Sequence, residues 1–213
     1  MNKRNLFLYA ALTALSVSAT AQTMNVTRAG DTTIVKIAKS PKYLLLPIEE
    51  GKDEAQVILD NGKKTDTWMD VRLAQGKTDY YVSFKLNKGK TSVVKILNLK
   101  ADALALQKGQ LKLSNVWDVT NTDYYRPSYH HTPSYGWMND PVGMFYKDGV
   151  YHLCYQYNPY GSMWGNMHWG HAVSRDLIHW KEVEPTLQRD PMGHIFSGST
   201  VIDKDGTAGY GKN

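Results

Sequence analysis

Lys147-Asp148-Gly149-Val150 lies between two strand-forming runs, residues 143–146 before it and 150–157 after it. An Asp-Gly pair in that setting is the strongest short-range signal for a β-hairpin, because the tight turn needs φ > 0 at both central residues. If Lys147 faces Val150, counting back along both strands sets Asp140 beside Tyr157 and Gln156. The hairpin then carries an acid and an amide to the same end of one sheet. Pro141 fixes its own φ and pushes the residue before it out of the helical region, so Asp140 is held extended at the mouth of a strand. Asn139-Asp140-Pro141 is also an ordinary turn signal, and the surrounding residues must decide between the two readings.

Those surroundings favour a binding site. Asn158-Pro159-Tyr160-Gly161 breaks the second strand, and Trp164 follows in a glycine-rich loop. Trp137 stands three residues before the aspartate and offers a wide apolar wall. A carboxylate, two amides and several indoles converge, with polar groups for hydroxyls and flat apolar faces for a carbon skeleton. That is the composition of a sugar pocket.

Four segments then occur in a fixed order: Trp137-Met138-Asn139-Asp140-Pro141, Tyr155-Gln156-Tyr157-Asn158-Pro159, His168-Trp169-Gly170-His171-Ala172 and Phe196-Ser197-Gly198-Ser199. In order and spacing they resemble family 32 of the glycoside hydrolases, the invertases, inulinases, levanases and other β-fructofuranosidases. The resemblance runs from about Tyr129 to the end of the chain, and Val142 stands where the best-known form of the first motif has Asn. It implies an all-β fold, with a five-bladed β-propeller whose active site lies in the axial funnel. It implies Asp140 as the nucleophile of a retaining mechanism, and Asn139, Gln156, Trp164, Phe196 and Ser197 as the lining of a fructose pocket, with Trp137 and Met138 flanking the nucleophile. The implied partner is a fructan or fructosyl oligosaccharide, and the chemistry needs no cofactor and no metal.

A retaining glycosidase also needs an acid/base carboxyl, roughly 5 to 5.5 Å from the nucleophile. The family's order puts a transition-state-stabilising aspartate in an Arg-Asp-Pro motif and the acid/base in a glutamate just before a cysteine, both well after Phe196. Arg189-Asp190-Pro191 precedes Phe196 and sits in a connection between blades, so it reads as a coincidental tripeptide, since motif context decides a match. No glutamate follows Phe196. The expectation is therefore a chain that stops before its acid/base and is inactive alone. The alternatives are a non-catalytic fructan-binding protein or a fructosyltransferase.

Ahead of this part, Lys3 and Arg4 precede an apolar run, and Ala19-Thr20-Ala21 stands before Gln22. That is a secretory leader over residues 1–21, too short in its apolar core to span a bilayer, and it predicts a secreted or periplasmic protein. Residues 22–122 read as a small β-sandwich-like accessory domain. Strands are expected at 32–38, 43–48, 56–59, 69–73, 80–86 and 92–99, with Asp60-Asn61-Gly62 and Asn87-Lys88-Gly89 as hairpin turns. A carbohydrate-binding role through Trp68 and Tyr80-Tyr81 is the minor reading there, and packing the major one.

Residues 123–213 then hold the start of the propeller. Strands at 144–146, 150–157, 168–174 and 178–182 make one blade, and residues 196–203 open the next. Charge follows the same division. Residues 22–122 carry 16 Lys and Arg against 11 Asp and Glu, and residues 123–213 carry seven against nine. Bases and aromatics are thus segregated, which argues against a nucleic-acid partner. The lone Cys154 allows no intrachain disulfide and reads as a buried thiol. His168 and His171 lie three apart in a strand and point to opposite faces, which favours structural histidines over a metal site.

Overall fold

The computed structural model describes residues 23–62, 65–117, 127 and 130–210. The leader expected at 1–21 and most of the linker expected around 123–127 lie outside them.

The described chain is built almost wholly of strands. In order these are β1 (Met24–Ala29), β2 (Thr32–Ile37), β3 (Tyr43–Ile48), β4 (Ala55–Leu59), β5 (Thr67–Val71), β6 (Tyr80–Lys85) and β7 (Ser92–Leu97). A 3-10 turn at Leu104–Leu106 follows, then β8 (Lys112–Ser114), β9 (Trp137–Lys147), β10 (Val150–Asn158), β11 (His168–Ser174) and β12 (Trp180–Leu187). They form a five-stranded sheet in the order β1-β2-β7-β4-β5, a three-stranded sheet β6-β3-β8 and a four-stranded meander β12-β11-β10-β9. The first two sheets make a sandwich, and the meander has the form of a propeller blade.

Period-two patterning explains the sandwich. Val57 and Leu59 of β4 and Val94 and Ile96 of β7 are buried, while their neighbours Gln56, Ile58, Val93 and Lys95 are less so. β3 is different, a near-continuous apolar run buried along almost its whole length. Such a strand is covered on both faces. Its core is continuous with Tyr155, Tyr157 and Tyr160 at the end of the meander, and Phe84 of β6 lies 6.1 Å from Tyr160, ring to ring. Tyr43 meets the edge of Trp117, which stacks on Tyr135, which stacks on Tyr80. One hydrophobic cluster therefore joins the sandwich to the blade.

Polar contacts cross the same seam. Lys42 pairs with Glu184 of β12. Arg189 is buried, its guanidinium 3.6 Å from the Trp68 ring centroid and bonded to Asn166 Oδ1 at 3.0 Å. Asn166 in turn accepts from Asp70 N at 3.0 Å and donates to Asp70 O at 2.8 Å, occupying backbone groups on the β5 edge. Tyr80 donates to Glu50, and Lys112 sits 3.8 Å over the ring of Tyr81. Trp68, Tyr80 and Tyr81 are thus engaged in packing, and the Arg of Arg189-Asp190-Pro191 is a buried strut.

Three expectations need correction. Asn87-Lys88-Gly89 is no hairpin turn, because β6 pairs with β3 and β7 with β2 and β4. The turn arches from one sheet to the other, held by Gly89 N donating to Ser40 O at 2.8 Å. The same turn chemistry serves either purpose, and the ladders on each side choose. The first strand of the blade begins at Trp137 rather than at residue 144, and the last runs over Trp180–Leu187 rather than 178–182. Residues 196–203 form no strand among the described residues. They are tied down by side chain–backbone bonds, Trp169 Nε1 to Phe196 O at 3.0 Å and Thr200 Oγ1 to Gly143 O at 3.4 Å.

Arg189 combines a stacked face with a buried hydrogen bond, a geometry an ammonium cannot reproduce. Arg189→Ala should cost about 1–3 kcal/mol of stability, and Arg189→Lys most of that. Denaturant titration followed by tryptophan fluorescence checks both.

Candidate active site

Asp140 lies in β9, but not where a regular hairpin would put it. Lys147, Tyr146 and Phe145 pair with Val150, Tyr151 and His152 as the turn dictates. The register then slips twice, so that Val142 faces Cys154, Pro141 faces Tyr155 and Met138 faces Tyr157. Each slip inserts one extra residue in β9, the signature of a β-bulge. Asp140 therefore falls opposite Gln156, with Tyr157 paired to Met138. Gly143, at φ +59, occupies the first bulge, and a Cβ there would overlap Thr200 Oγ1. Pro141, which has no N–H to give a ladder, leads into the second.

β10 divides its side chains cleanly. Tyr155 and Tyr157 enter the core shared with the sandwich, and Tyr157 donates to Tyr135 O at 2.8 Å. Cys154, Gln156 and Asn158 point the other way. Cys154 forms a small apolar cluster with Val142, Trp169 and Ile195. Val142 thus has an apolar environment to fill. Burial raises the Cys154 thiol above its ordinary pKa, which makes it a poor nucleophile.

The expected site residues assemble on this second face and along its rim. Ser197 Oγ donates to Asp140 Oδ2 at 2.9 Å, bridging 57 positions of sequence. Trp137 Nε1 donates to Asn139 Oδ1 at 2.9 Å, which leaves the Asn139 NH₂ to donate elsewhere. Gln156 is 2% exposed, and its Nε2 has no hydrogen-bond partner among the described residues. A buried amide donor left open beside a carboxylate is costly unless a ligand satisfies it. Trp164 and Phe196 are exposed and flank His194, with ring centroids 5.6 and 5.8 Å away. Met138 is exposed next to Trp137.

Gly136, at φ +89, makes the sharp approach to Trp137, and a Cβ there would strike the Asn158 carbonyl. Asn158 organises the following loop, accepting from Tyr160 N at 2.9 Å and donating to Met163 O at 2.8 Å. His194 was not singled out in the sequence. Its Nδ1 accepts from Met167 N at 2.9 Å, and its position two residues before Phe196 is the only local signal for it.

His152 and His171 pack against each other between β10 and β11. His152 Nδ1 and His171 Nε2 share a hydrogen bond at 2.9 Å, with Phe145 stacked on His152 at 4.4 Å. Burial, then the neighbouring His152, lowers the His171 pKa. No group of three or more His, Cys, Asp or Glu among the described residues is placed to hold a metal.

Residues 130–210 match the Glycosyl hydrolases family 32 N-terminal domain, and residues 29–129 match a domain of unknown function, DUF4980. Levanase of Bacillus subtilis (strain 168) is 55% identical over 97 residues, 44% of this chain and 14% of the levanase. The extracellular exo-inulinase of Aspergillus awamori is 49% identical over 94 residues, 42% of this chain and 18% of the inulinase. Its crystal structure superposes with a TM-score of 0.40 at 47% identity, covering 44% of this chain and 19% of that one. Invertase of Schwanniomyces occidentalis is 47% identical over 97 residues, 43% of this chain and 18% of the invertase. Residues 130–210 thus match the N-terminal domain of glycoside hydrolase family 32. The chain spans less than a fifth of the length of these relatives.

His168, at the start of β11, offers a clean pH test. It is fully buried, bonded through Nδ1 to Asn166 O, and burial pushes its pKa down to about 3. An unfolded histidine binds its proton near pH 6.5, so between 6.5 and about 3 the unfolded state holds a proton that the folded state lacks. The contribution to stability is complete above 6.5 and falls by about 1.4 kcal/mol per pH unit below it. Imidazole NMR should show His168 still neutral at pH 4.

Proposed function

We propose that this chain supplies the nucleophile-bearing part of a secreted or periplasmic β-fructofuranosidase acting on levan, inulin or sucrose. The observation that carries the reading is the Asp140 site itself. Ser197 restrains one carboxylate oxygen, and the buried, unpartnered Gln156 amide stands across the bulge. Trp137, Met138, Asn139, Trp164 and Phe196 surround them as the lining for a furanose ring.

In this reading Asp140 Oδ1 attacks the anomeric carbon of a terminal fructosyl unit. The bond to the leaving oxygen breaks, and a covalent fructosyl-enzyme forms with retention after the second displacement. Ser197 holds Oδ2 and so fixes which lone pair faces the substrate. Gln156 Nε2 and Asn139 Nδ2 donate to sugar hydroxyls, while Trp137 and Trp164 cover the apolar faces. A general acid must protonate the leaving oxygen. No glutamate lies between Phe196 and residue 213 to supply that group. We take residues 1–21 as the leader, 22–122 as the accessory domain and 123–213 as the start of the propeller. The relatives named levanase, exo-inulinase and invertase support the substrate class.

Asp140→Asn in the complete enzyme should reduce fructose release by on the order of 10³-fold or more, about 4 kcal/mol of barrier. A slow fructosyl substrate should leave a hexosyl mass increment on the peptide containing Asp140 in the wild type. Full activity of Asp140→Asn, or an adduct on another residue, would refute the assignment.

A further inference from the structure

We propose that the β1–β8 sandwich is the brace that shapes the sugar pocket, with Glu50 as the residue that positions Trp164. The inference rests on the pocket reading above and gives the domain of unknown function a role within it.

The connection between β10 and β11, residues 159–167, carries Trp164 on its outer turn. Gly161 and Gly165 flank the tryptophan and contribute no side chains, and from the blade Asn158 bonds Tyr160 N, Met163 O and the Asn166 amide. The loop is held from the sandwich as well. Ser162, two residues before Trp164, donates its N–H to Glu50 Oε1 at 3.1 Å and its hydroxyl to Glu50 Oε2 at 2.8 Å. Two bonds to one carboxylate fix orientation as well as distance, and bonds to a charged acceptor are the strong ones. On the far side of Trp164, the Asn166 side chain docks on the backbone of Asp70 in β5 through two hydrogen bonds. Asn166 adopts φ +41, an unusual backbone for a residue other than glycine, and is buried. Arg189, stacked on Trp68, adds a third bond to the same amide. Trp164 is thus suspended between two points on the sandwich.

Glu50 also reaches the opposite wall. It accepts from the Tyr80 hydroxyl and from Arg72 Nη1 at 3.4 Å, so its two oxygens are fully used. Tyr80 stacks on Tyr135 with ring centroids 5.8 Å apart, and Tyr135 immediately precedes the Gly136–Trp137 approach to Asp140. Both indole walls therefore refer back to one carboxylate on the sandwich. A spacer domain would need neither contact. Tyr80 is stacked and hydrogen-bonded at this seam, and Arg189 covers one face of Trp68.

The test uses the complete enzyme with Glu50→Ala, Glu50→Gln and Ser162→Ala. Glu50→Ala should raise KM for a fructosyl substrate about tenfold, the loss of about 1.4 kcal/mol of binding, with kcat changed less than about threefold. Glu50→Gln keeps an acceptor for Ser162 and should recover part of the loss, and Ser162→Ala should raise KM by about threefold. Amide hydrogen exchange supplies a readout that needs no substrate. Residues 161–167 should exchange about tenfold faster in Glu50→Ala while β2 and β7 keep their protection. If Glu50→Ala does not fold, Ser162→Ala carries both measurements. Unchanged KM, or unchanged exchange at 161–167, overturns the proposal. If the wild type cleaves no fructosyl substrate, the pocket reading fails by itself and the exchange measurement still decides the brace.

Discussion

β10 is packed on both faces, and the candidate site follows from that fact. Tyr155 and Tyr157 are locked into a core that extends through Phe84 and β3 to the sandwich, so the strand can neither slide nor rotate. Its alternate residues, Cys154 and Gln156, must then face the other way. The open amide of Gln156 is a consequence of the tyrosines behind it. A one-residue slip would exchange the two sets and bury a tyrosine where the amide belongs.

The bulges in β9 are the second constraint. A regular hairpin would pair Asp140 with Tyr157, on the core-directed side of the register. The residue inserted at the first bulge, where Gly143 has positive φ, shifts the aspartate to Gln156; Asn139 and Asp140 form the second bulge, and Asp140 bonds Ser197. Bulges are used in sheets to re-aim side chains at functional sites, and here they convert a buried register into an accessible carboxylate. The cost is local backbone freedom. It is offset by Thr200 packing against Gly143, and that contact draws the Phe196–Ser199 segment over the site.

The seam between sandwich and blade is polar as well as apolar. Lys42–Glu184 is partly exposed and contributes little by itself. Glu50, Asn166 and Arg189 are more consequential because they sit at loops rather than at strands. Strands are fixed by their ladders, whereas a loop such as 159–167 takes its shape from whatever hydrogen bonds reach it. The aromatic chain Tyr43–Trp117–Tyr135–Tyr80 supplies the apolar part of the seam.

Much was legible in the amino-acid sequence. The Asp148-Gly149 turn, the period-two strands β2, β4 and β7, and the four ordered motifs, which include Asp140, Gln156 and Ser197, are local patterns. Turn chemistry and side-chain alternation act over a few residues, so they can be read from a few residues. Tertiary structure alone decided the rest. It set which sheet Asn87-Lys88-Gly89 delivers its strand to, where β9 bulges, and that residues 196–203 are held without a ladder. It also decided that Arg189, Trp68 and Glu50 work at a seam. Each depends on a partner tens of residues away, and contacts at that separation are chosen by packing and by competition among ladders, which no local pattern encodes.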